Sequence, residues 1–357
     1  MFNFLRSLFS GLPSTASYEA HLHDQENKYA TYMETFESDE YKRYIELKEF
    51  VYNPANMKFR PTRSAPVQQG YSKEDAKLYR NALKQYKQNL KLEEKQFKRE
   101  IKQLKEEFNN VKNTRTMKTF FHLKKNYAKS FAEQERWVSK FYDDFVKPEL
   151  DPRWTDNQVV GEKLLNGAHY SPIEEMQMFT LNNLQQVGGM LKIRIREEHK
   201  QGLAWDKTYG LVPRTFNYTS GMVTSANAFK QMYGKFMAKV QVKQTSGTCH
   251  AFWMGTETKK PHLNIFKIEG HNLTLALYTG SVTIEKKLKY KLKNDFYIFT
   301  LLWSNEKIIW FINGKRVFET ANVISEPMYI AFSSGVYDKK ASATTMYVDW
   351  VKCYRMN

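Results

Sequence analysis

Two periodicities divide this chain. From Ala76, the apolar residues Tyr79, Leu83, Tyr86, Leu90, Phe97, Ile101, Leu104, Phe108 and Val111 follow in steps of three and four, with Glu93 the one polar residue in the seam. That spacing lays one apolar stripe along a long helix, as in a coiled coil or a helical bundle. A long helix is expected over most of 73–112, and neither Pro nor Gly occurs between Ser72 and Trp137 to break the helical region. Upstream, Glu40–Val51 (EYKRYIELKEFV) is amphipathic at helical spacing, and a Pro-marked linker follows from Asn53 to Gly70. The segment Tyr41–Val51 is weakly similar to Met117–Tyr127, but two copies do not make a repeat architecture.

From about Phe141 the period changes to two. The runs MLKIRIR (190–196), GKFMAKVQV (234–242), LTLALYTG (273–280), YIFTLLW (297–303), KIIWFING (307–314) and TMYVDWVKCY (345–354) read as strands. Asn313-Gly314 is a hairpin signature, and closely spaced strands with no helical pattern between them indicate an antiparallel sandwich. The expected fold class is α+β overall: an N-terminal α-helical, coiled-coil region followed by an all-β antiparallel jelly roll. The expected domains are 1–71, short amphipathic helices and a linker; 72–137, a long basic helical region; and 138–357, the β-sandwich.

Composition adds less. The net charge of +17 is spread over both halves, whereas a nucleic-acid footprint is concentrated on one surface. A basic nucleic-acid-binding protein is therefore an alternative and not the main reading. Lys287, Lys289, Lys291 and Lys293 alternate with Leu288, Tyr290 and Leu292, as on a solvent-facing edge strand. Cys249 and Cys353 are too few for a disulfide framework, and whether they pair is open. His21 and His23 lack further ligands at metal spacing. No apolar run is long enough to span a membrane. Met1–Pro13, interrupted by Arg6, reads as a short amphipathic helix and not as a cleaved signal peptide.

Several segments, in order, resemble glycoside hydrolase family 16. They are FYDDFVKPELDPRWT (141–155), GGMLKIRIREE (188–198), YTSGMVTSANAF (218–229), CHAFWMG (249–255), YIFTLLWSNEKIIWFINGKRVFET (297–320) and MYVDWVKCY (346–354). The resemblance implies two stacked, curved antiparallel sheets with a sugar-binding cleft. It also implies a catalytic Glu-x-Asp-x-x-Glu, in which one Glu attacks the anomeric carbon and the other protonates the leaving oxygen across about 5–5.5 Å. In this chain the register places His262, Asn264 and Lys267 at those three positions. The expectation from these replacements is a non-catalytic carbohydrate-binding or structural module. An active hydrolase or transglycosylase using displaced acids such as Glu257 or Glu269 is the alternative.

The implied binding residues are Trp253, Tyr278, His262, Asn264, Lys267 and Glu269. With His, Asn and Lys replacing acids, an anionic glycan suits the cleft better than a neutral one. No cofactor is required, although Asp349 matches a family position that supports a structural calcium. The helical region is expected to bind a protein partner, as an oligomer or larger assembly. With a glycan-facing domain and no apparent signal peptide, the expected setting is a virion or the cytoplasm.

Overall fold

The structure, a computed structural model, describes residues 11–156, 170–258, 260–290 and 292–357. The Met1–Pro13 helix expectation thus falls largely outside the described residues, as does Lys291. The chain divides into two compact units, one of residues 22–133 and one of Gln134–Asn357 together with the chain up to His21.

The helical unit holds most of α1 (Thr15–Glu37), with α2 (Asp39–Tyr52), α3 (Lys73–Lys112) and α4 (Arg115–Glu135). Ser72 and Asp75 form a reciprocal capping box that starts α3. The long helix expected over most of 73–112 is α3, and within the helical region expected to 137 the chain breaks at Asn113-Thr114, without Pro or Gly. The Asn113 side chain donates to the Asn109 carbonyl, and the Thr114 hydroxyl accepts from the Met117 amide, so capping side chains stop one helix and start the next.

The expected coiled coil is also corrected. Phe108, Leu104 and Val111 are covered by the chain's own α2 and α4 through Tyr44, Leu47, Met117 and Phe120. Farther up α3, Phe97 packs on Phe59 of the Pro-marked linker. The expected boundary at 71/72 therefore falls inside one unit. Among the described residues no helix is long and apolar enough to cross a membrane.

The β-rich unit begins with β1 (Trp137–Asp143), β2 (Tyr170–Pro172), β3 (Gln177–Phe179), β4 (Leu184–Gln186), β5 (Leu191–Asp206), β6 (Gly210–Ser220), β7 (Met222–Thr224) and β8 (Gly234–Val242). It continues with β9 (Thr248–Gly255), β10 (His262–Glu269), β11 (Asn272–Tyr278), β12 (Thr283–Leu288), β13 (Phe296–Trp303), β14 (Lys307–Ile312), β15 (Lys315–Ala321), β16 (Tyr329–Val336) and β17 (Thr344–Met356). The larger sheet runs β15-β14-β13-β8-β17-β5-β6-β3, with β1 added to β17 and β2 and β4 added to β5. The smaller sheet runs β12-β11-β10-β9-β16-β7. All pairings are antiparallel except the short β2–β5 and β3–β6 contacts.

Alternation makes each sheet two-faced. Phe252, Met254, Leu263, Ile268, Leu273, Leu275 and Leu277 of the smaller sheet meet Phe236, Phe299, Leu301, Trp310 and Val348 of the larger in one core. The predicted Asn313-Gly314 hairpin is present, with both residues at positive φ. Its Asn313 side chain also accepts from the Ile298 amide and donates to the Pro13 carbonyl, tying the start of the chain to the larger sheet. Cys249 and Cys353 are both free thiols.

His250 is buried in this unit. Its Nδ1 lies 2.8 Å from the Ser334 hydroxyl, and its Nε2 has no hydrogen-bond partner among the described residues. Burial lowers its pKa to about 3. An unfolded chain takes up this proton near the ordinary imidazole value while the folded chain refuses it. His250 stability is therefore complete above that value and is lost as pH falls towards 3. The loss should reach roughly 2 kcal/mol between about pH 7 and pH 5. Urea unfolding of the protein and of His250→Leu at both pH values should show a smaller pH dependence in the variant; equal slopes would contradict this.

Candidate functional site

The outer face of the smaller sheet carries the residues singled out by sequence. Strand β10 would ordinarily send alternate residues to opposite faces, yet its pairing shifts register between Asn264 and Lys267. This β-bulge turns the two consecutive residues Ile265 and Phe266 into the core, where both are fully buried. His262, Asn264, Lys267 and Glu269 consequently share the outer face. Trp310, reaching across from β14, donates its indole N–H to the Asn264 carbonyl at 3.0 Å. The bond satisfies a buried acceptor beside the bulge and links the two sheets.

Strand pairing fixes the neighbours. Tyr278 of β11 lies opposite His262, and Gly255 of β9 lies on its other side. In the next row Asn264 stands between Ala276 and Trp253, followed outward by Glu285 opposite Ala276 on β12. In the third row Lys267 stands between Thr274 and Ala251, and Lys287 lies opposite Thr274. Although this face points away from the core, Asn264 is only 4% exposed and Ala276 0%. It therefore forms the floor of a recess.

The side chains in it interlock. The His262 imidazole lies 4.9 Å from the Trp253 ring, nearly stacked, and 6.1 Å from Tyr278. Its Nε2–H donates to Asn264 Oδ1 at 2.9 Å, leaving Nδ1 with the lone pair. Burial holds the imidazole below its ordinary pKa, and the Lys267 charge adds to this against the bond to Asn264. The ring is therefore neutral at pH 7.

Trp253 donates to the Ser333 hydroxyl at 3.0 Å and packs with Tyr329 outside the main core. A side chain at Gly255 would strike the Trp253 ring, so that glycine makes room for it. Burial opposes the charge on Lys267, but the hydrogen bond to Glu269 (2.5 Å) together with the charges around it outweighs burial and holds the ammonium above its ordinary pKa. Tyr278 donates to Glu285 at 3.2 Å, and burial with that carboxylate raises its pKa, so the phenol stays protonated.

The structure thus brings together all six residues expected to bind glycan. Sequence reading missed Glu285 and Ser333; counting by twos through the β11–β12 hairpin would have placed Glu285 on this face. The displaced acids do not form a pair. Glu269 is opposite Cys249, whereas Glu257 lies beyond Gly255 and is paired with Lys230. Cys249 and Gly255 are separated by about 20 Å of strand, well beyond the spacing of two carboxylates acting across one glycosidic bond.

Asp349 is elsewhere, on β17. Its carboxylate is 2.7 Å from Lys239, which also pairs with Glu19. An ammonium stands where a calcium would sit, so these residues do not fit the expected ion. Among the described residues no cluster of three or more His, Cys, Asp or Glu suits a metal.

Comparison with known proteins bears on this site. The model of glycosyl hydrolases family 16 matches residues 177–352. Endo-1,3-1,4-beta-glycanase ExsH of Rhizobium meliloti (strain 1021) is 26% identical over 160 residues, covering 40% of this chain and 34% of that protein. Endo-1,3-1,4-beta-glycanase EglC of the same organism is 28% identical over 160 residues, with the same coverage. The chain thus spans about a third of the length of these curated relatives. The catalytic domain of an endo-1,3-beta-glucanase (laminarinase) from Thermotoga petrophila RKU-1 superposes with a TM-score of 0.50 at 20% identity, covering 62% of this chain and 98% of that one. At that identity the likeness establishes the fold. The glycanase relatives overturn the expectation that the domain is not an enzyme, which rested on His262, Asn264 and Lys267.

The Trp310–Asn264 bond should hold the bulge. Trp310→Phe leaves the Asn264 carbonyl buried without its donor, a loss of about 1–3 kcal/mol. Urea unfolding should show it, with the largest backbone NMR shift changes at Asn264–Lys267. Wild-type stability and unmoved shifts there would contradict the role.

Proposed function

We propose that this chain, whose β-sandwich belongs to glycosyl hydrolases family 16, is a glycan-cleaving enzyme that binds a β-linked polysaccharide across the outer face of its smaller sheet. The observation that carries this reading is the convergence of Trp253, His262, Asn264, Lys267, Tyr278 and Glu285 in one recess of a domain similar to two endo-1,3-1,4-beta-glycanases. A sugar ring presents a C–H face, and the Trp253 indole, pinned by Ser333, offers an aromatic surface of matching size.

The reacting groups in this reading are those grouped around His262. Neutral His262 has an available Nδ1 lone pair and serves as general base. Tyr278, oriented by Glu285, is the group beside it that holds a proton to give. Lys267 and Asn264 supply positive charge and an amide to oxygen atoms of the bound sugar.

Incubation of the purified chain with laminarin, lichenan and acidic β-linked polysaccharides should release reducing ends from at least one of them. His262→Ala should lower kcat by about 10²–10⁴, while Trp253→Ala should act mainly on KM, both with wild-type thermal unfolding. Because burial lowers the His262 pKa, the acid limb of kcat/KM should fall below the ordinary imidazole value. Absence of reducing ends from every polymer, or a His262→Ala variant with wild-type kcat, would contradict the reading.

A further inference from the structure

We infer that the bond is broken by β-elimination from a uronate-containing polysaccharide and not by hydrolysis. The inference rests on the glycan-cleaving reading and deepens it by naming the substrate class and the chemistry.

The constraint comes from which groups the recess lacks and which it has. Glycoside hydrolysis in this geometry needs two carboxyl groups flanking one glycosidic bond. Here Glu269 is bound to Lys267, and Glu285 lies two strands from β10, about 10 Å away in backbone, with its carboxylate engaged by Tyr278. Beside His262 and the Trp253 ring stand an amide, Asn264, and a phenol, Tyr278, and the Lys267 ammonium lies two rows along the same face. Elimination next to a carboxylate needs those groups and no enzyme carboxylate. The anionic sugar must be neutralised so that the proton beside its carboxyl becomes acidic, a base must remove that proton, and an acid must protonate the departing oxygen.

Each part has a residue. The Lys267 ammonium, with hydrogens left over from its bond to Glu269, and the Asn264 amide meet the uronate carboxylate, and Lys287, in the same row two strands away, extends the positive surface along the polymer. His262 Nδ1 takes the C5 proton. The electrons of that C–H bond form the C4–C5 double bond, the C4–O4 bond breaks, and the Tyr278 hydroxyl supplies the proton that O4 requires. Water then restores both side chains. The products are an unsaturated uronate on one fragment and a new reducing end on the other, with no water consumed in the cleavage.

Base and acid stand side by side on neighbouring strands, with rings 6.1 Å apart, on one side of the substrate. That arrangement suits a gluco- or manno-configured uronate, whose C5 proton and C4 oxygen leave from the same side. Trp253, stacked against the His262 ring, keeps the imidazole turned to face it.

The test uses the whole chain with β-1,4-linked polyglucuronate and polymannuronate, their carboxyl-reduced forms, and laminarin. Ultraviolet absorbance of the conjugated double bond is recorded in parallel with reducing ends. The expected result is that both rise together on a polyuronate and neither rises on its carboxyl-reduced form. Tyr278→Phe and His262→Ala should each slow the reaction by about 10²–10⁴, with thermal unfolding checked for both. Lys267→Met should raise KM for the polyuronate.

Reducing ends without the absorbance would overturn elimination while leaving the glycan-cleaving reading in place. No cleavage of any polymer would overturn both. Absorbance produced at the wild-type rate by Tyr278→Phe would overturn the assignment of the proton donor.

Discussion

The outer face of the smaller sheet depends on one irregularity in β10. A regular strand would turn Lys267 and Glu269 to the face opposite His262 and Asn264, because side chains alternate. By sending Ile265 and Phe266 together into the core, the chain brings all four polar residues to the same side. The bulge is energetically tolerable because both apolar side chains are buried, Phe266 lying 4.3 Å from Phe299, and because Trp310 satisfies the Asn264 carbonyl. Core and outer face are thus coupled: the interactions that close the sandwich also decide which residues share that face.

That coupling explains how the six residues named from the resemblance come to share one face. Period-two runs located the strands, and their order matched a family in which the corresponding strand carries the chemistry. What sequence could not supply was the electrostatic state of the recess. Nothing in the string indicates that His262 bonds to Asn264, that Lys267 is held by Glu269, or that Tyr278 reaches Glu285. Two of them join residues two apart on β10 and the third crosses from β11 to β12, and they decide which groups carry protons. The inference from lost carboxylates to lost catalysis failed for a related reason. It judged three positions against one mechanism, and the similarity to two endo-1,3-1,4-beta-glycanases speaks against it.

Elsewhere the limits were local. The break between α3 and α4 arises from Asn and Thr side chains bonding to backbone, which the absence of Pro and Gly concealed. Part of the apolar seam of α3 is covered by α2, α4 and the linker of its own unit, contacts between segments that spacing alone does not pair. Asp349 matched a calcium-associated position by local sequence, but Lys239 arrives from β8, far away in the chain, and an ammonium meets the carboxylate.

The central claim is that a glycan lies on the outer face of the smaller sheet against Trp253 and His262. The most direct measurement is an NMR titration of the labelled protein with a β-linked acidic oligosaccharide, following the Trp253 indole N–H and the His262 ring. Saturable shifts at both, together with Asn264, Lys267 and Tyr278, are the predicted result. Shifts confined to the larger sheet or the helical unit, with Trp253 and His262 unmoved, would contradict it.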